Sequence, residues 1–334
     1  MIINLHAPKF RSCRMYKPTL KDVLAARKRI QPYLAKTPLR EYSALSEAVG
    51  LEVHVKHENH QPTCAFKIRG GINLVSQLGE EERRLGVITA STGNHGQSIA
   101  LASRMFGVKA IICVPRNPNP DKVRAIRSFG AEIVEEGADF EEAKNNAERL
   151  ARERGYRYIH SGNEPHLIAG VGTIGLEMIE DQPDLDAVIV PVGGGSGASG
   201  VSTVYKAMSP ETKVIGVQAE EAQSVYLSWR SGRMESTGKS KTFADGLATR
   251  SAFELPLEIM RQNLDGFVLV SEEEMRAAIR LYVGKAHTIA EGAGAASLAA
   301  AIKMRDELKG KRVGVVLSGG NLTADMLRDI LKNP

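Results

Sequence analysis

Residues 186–200 read DAVIVPVGGGSGASG, from Asp186 to Gly200. The run AVIVPV is short, rich in β-branched residues and free of polar alternation, as expected for a parallel strand covered by helices on both faces. The turn behind it, Gly193, Gly194, Gly195, Ser196 and Gly197, lines up backbone N–H groups with no Cβ in the way. It then leads into a helical pattern, and such a turn at a helix N-terminus is a cradle for an anion such as phosphate. Consecutive glycines cost conformational entropy, so a plain tight turn does not explain them. Gly195, Gly197 and Gly200 also match the GxGxxG dinucleotide fingerprint, with Glu220 at the expected distance after KVIGVQA. Both phosphate readings stay open at this point.

Similar short apolar runs occur on either side. They are LEVHVKH (51–57), GVITA (86–90), KAIICVP (109–115), AEIVEE (131–136), YRYIHS (156–161), KVIGVQA (213–219), GFVLVS (266–271) and KRVGVVLS (311–318). Amphipathic stretches lie between them, including GQSIALASRMFG, DKVRAIRSFG, DFEEAKNNAERLARERG and SEEEMRAAIRLYVGKA. This alternation predicts an α/β protein with doubly wound, mostly parallel sheets. The polar stretch SGRMESTGKSKT (231–242) reads as a surface excursion. No internal repeat or low-complexity segment appears.

The bulk composition narrows the class. A chain of 334 residues, 43% hydrophobic and 25% charged, buries a large core, divided here between two lobes. Cys13, Cys64 and Cys113 form no CxxC pair, which favours a reducing compartment over a structural zinc site. No apolar run reaches the roughly 18 residues of a membrane span. The start lacks the apolar core of a secretory signal, so a cytoplasmic location is expected. The net charge of +5 gathers early, in Lys9, Arg11, Arg14, Lys17, Lys21, Arg27, Lys28 and Arg29. Without aromatic interleaving this is a solvated helix face behind a loose extension rather than a nucleic-acid arm. Met15 is an alternative start.

Three further turns carry chemistry. In QPTCAFKIRGG (Gln61 to Gly71), Lys67 follows Phe66 where an apolar residue would serve packing. Most lysines in such a place open a helix and point to water. A desolvated lysine with a lowered pKa would instead bond covalently to an aldehyde. After GVITA, the residues Ser91, Thr92, Gly93, Asn94, His95 and Gly96 offer hydroxyls, an amide, an imidazole and N–H groups. That set suits a carboxylate, or a phenolic oxygen beside one, and helix capping would use only one of its groups. After KRVGVVL, the Ser318 hydroxyl ends an apolar strand and needs a partner such as a heteroaromatic nitrogen. His54, His57 and His60 form no metal set, because residues 54 and 57 of a strand point to opposite faces.

In this order, QPTCAFKIRGG, STGNHGQS, PVGGGSGASG, FADGLATR with EGAGAA, and LSGGN resemble fold-type II pyridoxal-phosphate enzymes. The similarity is to the threonine/serine ammonia-lyase and serine racemase branch, and it runs from about Thr19 onward. It implies a fold like the tryptophan synthase β chain. The large cofactor-binding domain would comprise residues 18–85 and 164–334, the small domain residues 86–163, and residues 1–17 an extension. It also implies that pyridoxal 5'-phosphate is held covalently by Lys67, with Phe66 and Glu291 beside its ring. Asn94 would meet the phenolic oxygen, Gly193, Gly194, Gly195, Ser196 and Gly197 the phosphate, and Ser318 the ring nitrogen. Ser91, Thr92, Asn94 and His95 would hold the substrate carboxylate.

Four positions depart from the pattern. Cys64 stands where the family usually has glycine. The phosphate loop is GGGSG rather than GGGG followed by a bulky residue. Thr92 replaces the serine that serves racemases as the base opposite the lysine. The racemase cation positions carry Gln218, Ala222 and Ser224, so no metal is expected, although Glu220 and Glu221 lie close. No regulatory segment is visible after Leu331, which implies no feedback by isoleucine.

The expected activity is therefore β-elimination of L-threonine, L-serine or a related β-hydroxy amino acid to a 2-oxo acid and ammonia. Lys67 would be the base, in a homodimer or larger assembly. The alternatives are an amino-acid racemase, with Thr92 delivering the second proton, and an NAD-binding oxidoreductase using GxGxxG alone. The last leaves Lys67, STGNHG and LSGGN without a role.

Overall fold

The computed structural model describes residues 16–118 and 120–332. The extension expected for residues 1–17, with Cys13 and Met15, lies outside the described residues except for Tyr16 and Lys17.

Ten strands build two sheets. One has six strands in the order β1 (Leu39–Glu41), β2 (Glu52–His57), β10 (Arg312–Leu317), β7 (Ala187–Pro191), β8 (Lys213–Ala219) and β9 (Gly266–Val270). The other has four, in the order β5 (Glu132–Glu135), β4 (Ala110–Val114), β3 (Val87–Ala90) and β6 (Arg157–Tyr158). All pairings are parallel except that of β1 with β2. Each apolar run picked out in the sequence forms a strand. Every residue of β3, β4 and β7 is buried, as parallel strands between two helical layers require.

Strand neighbours decide which turns meet. β10 and β7 lie side by side, with Val315 opposite Ile189. The turn after β7 and the turn after β10 therefore leave the same edge together. Ligands collect at such carboxyl ends in open parallel sheets.

The helices obey their end signals. Asp139 accepts from the Glu142 N–H ahead of helix Phe140–Arg154, and Ser271 forms a capping box with Glu274 ahead of helix Glu272–Ala286. Gly200 lets helix Ser196–Met208 approach helix Pro165–Asp181, since a Cβ there would sit 2.6 Å from the Gly172 nitrogen. Its glycine thus serves helix packing, which weakens the dinucleotide fingerprint.

A buried ionic network anchors helix Lys67–Val75. Arg69 grips Glu58 through Nε and Nη2, at 2.7 and 2.8 Å, and Glu177 through Nη1 and Nη2 at the same two distances. Lys56 adds a 2.6 Å contact to Glu177. Burial opposes these charges, yet Glu58 is held below the usual carboxylate range because Arg69 outweighs it. The network ties β2 and helix Pro165–Asp181 to the helix whose first residue is Lys67. Among the described residues no helix is long and apolar enough to cross a membrane. Residues 231–242 are largely exposed, joined to the body by a bridge between Ser236 and Ser251.

Candidate active site

The carboxyl ends of the strands open on a cavity of about 490 Å³. Phe66, Lys67, Ser91, Thr92, Asn94 and His95 line it, as do Gly193, Gly194, Gly195, Ser196, Gly197, Glu291 and Ser318. All the site residues expected from sequence thus share one space, although they come from five separate stretches of chain.

Lys67 opens its helix, but its amine does not point to water. Nζ donates to Ser196 Oγ at 2.8 Å and to the Ser161 carbonyl at 3.4 Å. Burial without a carboxylate partner lowers its pKa to about 8. Two backbone links fix the turn that carries it. The Phe66 N–H donates to Ser318 O at 3.0 Å, and the Gly320 N–H donates to Cys64 O at 2.9 Å. Cys64 adopts φ +51°, the left-handed conformation that glycine takes without strain.

The glycine turn is a cradle that side chains would fill. A Cβ on Gly194 would lie 2.5 Å from the Phe253 ring, and one on Gly197 3.3 Å from the Phe66 ring. Gly195 sits at φ +89° as the N-cap of helix Ser196–Met208, so the helix N-terminus faces the cavity beside the Lys67 amine. This geometry fits a phosphate, and the lowered amine fits an aldehyde on the same molecule.

Around Ser91–Gly96 the hydrogen bonds fix individual atoms. Ser91 Oγ accepts from the Gly93 N–H, whereas the Thr92 hydroxyl has no protein partner among the described residues. Thr89 gives its proton to the Ile159 carbonyl at 2.7 Å, so its oxygen accepts from His95 Nε2 at 3.0 Å. His95 Nδ1 is left without a protein partner. Burial, with the nearby Lys67 charge, depresses His95 to about 3, which keeps the ring neutral. Asn94 Nδ2 donates to Glu291 Oε1 at 2.7 Å. Burial raises Glu291 to about 7, against the pull of that amide.

Several lining residues carried no signal in the sequence. His160 accepts the Gly162 and Asn163 N–H groups on Nδ1, both at 3.0 Å, and stands edge-on to Phe253 at 4.6 Å. Lys122 pairs with Asp245 across the rim. Asn321, inside the SGGN turn already singled out, donates to Asn94. His160 lies two residues beyond β6, and only folding brings it to the cavity.

Other candidates lie elsewhere. Glu220 is on the surface, paired with Lys303 at 3.1 Å. Gln218 is buried, its Oε1 accepting from the Tyr226 N–H, and Ser224 Oγ donates to Thr249 O. His57 and His60 stack at 4.7 Å, while His54 turns to Glu52. Among the described residues no cluster of three or more His, Cys, Asp or Glu is arranged to hold a metal.

Residues 30–319 match the pyridoxal-phosphate dependent enzyme family. An L-threonine ammonia-lyase of Thermotoga maritima is 44% identical over 313 residues, covering 94% of this chain and 78% of the relative. A serine racemase of Dictyostelium discoideum is 38% identical over 317 residues, covering 94% and 98%. The structure of threonine deaminase isoform 2 from Solanum lycopersicum superposes with a TM-score of 0.88 at 33% identity, covering 97% of this chain and 98% of that one. With the glycine cradle, the buried amine and the Ser318 hydroxyl in one cavity, the chain belongs to the pyridoxal-phosphate dependent enzymes.

Proposed function

We propose that the chain catalyses β-elimination of L-threonine, L-serine or a related β-hydroxy amino acid to a 2-oxo acid and ammonia. The observation that carries this is the Lys67 amine, held 2.8 Å from the Ser196 hydroxyl of the phosphate cradle and facing the Ser91–His95 turn across one cavity. Pyridoxal phosphate, bound there, supplies an electron sink that acidifies the substrate Cα proton.

The chain's own groups do the rest. Lys67 would hold the cofactor aldehyde, and its Nζ would take the Cα proton of the substrate. Gly193, Gly194, Gly195, Ser196 and Gly197 bind the phosphate through N–H groups and the Ser196 hydroxyl. Ser91, Thr92, Asn94 and His95 would hold the substrate carboxylate, which would fix the Cα–H bond towards Lys67. His95 would do so through its backbone N–H, because its neutral ring offers only the Nδ1 lone pair. Ser318 would meet the ring nitrogen with a hydroxyl, which would not keep that nitrogen protonated as a carboxylate would, and Phe66 and Glu291 would contact the ring. Overall the substrate loses its Cα proton and β-hydroxyl as water, and a second water releases ammonia and the 2-oxo acid.

Racemisation is the second reading, favoured only by the unpartnered Thr92 hydroxyl in the cavity. We further propose a cytoplasmic homodimer or larger assembly. Residues 18–85 with 164–334 would form the large domain and 86–163 the small one, since each set carries its own sheet. The deciding experiment is a panel of β-hydroxy amino acids scored for 2-oxo acid release, on wild type and Lys67→Ala. Yellow protein, with borohydride-sensitive absorbance and turnover both lost in Lys67→Ala, supports the assignment. A colourless wild type without turnover would sink it.

A further inference from the structure

Asn321 begins a chain of side chains whose hydrogen-bond direction is fixed. The Thr63 carbonyl oxygen can only accept, and Asn321 Nδ2 donates to it at 2.9 Å. That contact decides which end of the Asn321 carboxamide is nitrogen. The same nitrogen donates to Asn94 Oδ1 at 2.7 Å. Asn94 must then aim its own Nδ2 away, and that atom donates to Glu291 Oε1 at 2.7 Å. A flipped Asn94 would set N–H against N–H at Asn321, whose nitrogen is fixed by the Thr63 carbonyl. An amide nitrogen carries two hydrogens, so Asn94 keeps one for the cavity it lines with Lys67 and Ser318. The anchor is firm, because the Ser318–Asn321 turn is bonded to the turn before Lys67 at two points.

We infer that Asn321 is a positioning residue, holding the Asn94 amide so that an N–H rather than a carbonyl meets an anionic oxygen bound beside Lys67. The inference rests on the proposed cofactor assignment, in which that oxygen is the phenolic oxygen of pyridoxal phosphate. An N–H donor stabilises the ionised phenolic form, which absorbs in the visible. Without the donor, the neutral form gains, and it absorbs in the near ultraviolet. The direction of one amide is therefore readable as colour.

Asn321→Asp keeps the shape but replaces the donor with an acceptor, so Asn94 is pressed to flip. At fixed pH, absorbance should move from the visible to the near ultraviolet. The cofactor dissociation constant should rise about tenfold, the worth of one hydrogen bond to a charged group. Asn321→Ala, which removes the donor without adding charge, should shift both in the same direction by less. Circular dichroism melts establish that each variant is folded. In an Asn94→Ala background, Asn321→Asp should cause no further spectral change, because the amide it directs is gone. An unaltered spectrum and affinity in folded Asn321→Asp would overturn the positioning role, and so would a full effect surviving in Asn94→Ala. A wild type that binds no cofactor would overturn the cofactor assignment instead.

Discussion

Lys67 Nζ lies 2.8 Å from Ser196 Oγ, so the amine proposed to hold the cofactor aldehyde rests beside the glycine turn proposed to hold its phosphate. In that proposal the two ends of one small molecule would be received by side chains 129 positions apart. Burial, with no carboxylate to oppose it, lowers the amine pKa from 10.5 to about 8.

Uptake of pyridoxal phosphate by cofactor-free protein should accordingly speed up about tenfold per pH unit below 8 and level off above it, since only the neutral amine attacks. The sign for stability is the same. Between pH 8 and 10.5 the unfolded amine is protonated and the folded one is not, so stability rises with pH through that window. Stopped-flow absorbance at several pH values measures the first effect. A rate still climbing between pH 9 and 10 would show that the amine is not lowered.

Thr92 is the residue we propose to separate elimination from racemisation. Its hydroxyl faces the cavity without a protein partner, but its γ-methyl restricts χ1 where a serine would turn freely. L-serine should give pyruvate with only trace D-serine, and Thr92→Ser should raise that trace about tenfold, as a better-aimed proton donor would. Chiral chromatography beside a pyruvate assay reads both products. Wild-type D-serine formed as fast as pyruvate would reverse the assignment.

Arg69 holds two buried carboxylates in check. Arg69→Leu would leave Glu58 and Glu177 facing each other with only Lys56 between them. The expected loss is about 3–5 kcal/mol, the cost of breaking a buried ion pair from one side. Urea unfolding of wild type and variant tests it, and a midpoint unchanged within error would show that the network is neutral. Because Arg69 stands two residues after Lys67, cofactor affinity should fall as well.

Cys64 carries strain that glycine would not. A non-glycine residue held at φ +51° costs about 1–2 kcal/mol, part of which glycine gives back through the entropy of the unfolded chain. Cys64→Gly should therefore stabilise the protein by about 0.5–1 kcal/mol. A lower melting temperature in the variant would mean that the thiol makes a contact worth more than the strain.

The sequence by itself determined the fold class and picked out the turns that line the cavity. Short β-branched runs alternating with amphipathic stretches point to parallel strands between helical layers, and all nine runs contain a strand. The glycines of 193–197, Lys67 and Ser318 were legible because backbone N–H groups, an amine and a hydroxyl in those places have few other uses. What needed the third dimension was partnership. β1 escaped notice because three residues have no period of their own, and it exists through antiparallel pairing with β2. Gly200 looked like part of a nucleotide fingerprint until helix packing claimed it. The neutral state of His95, the lowered Lys67, the His160 wall and the amide chain from Thr63 through Asn321 and Asn94 to Glu291 depend on atoms more than 60 residues away in sequence. Burial and hydrogen-bond direction are set by whichever chain segments meet, and no local pattern encodes a meeting.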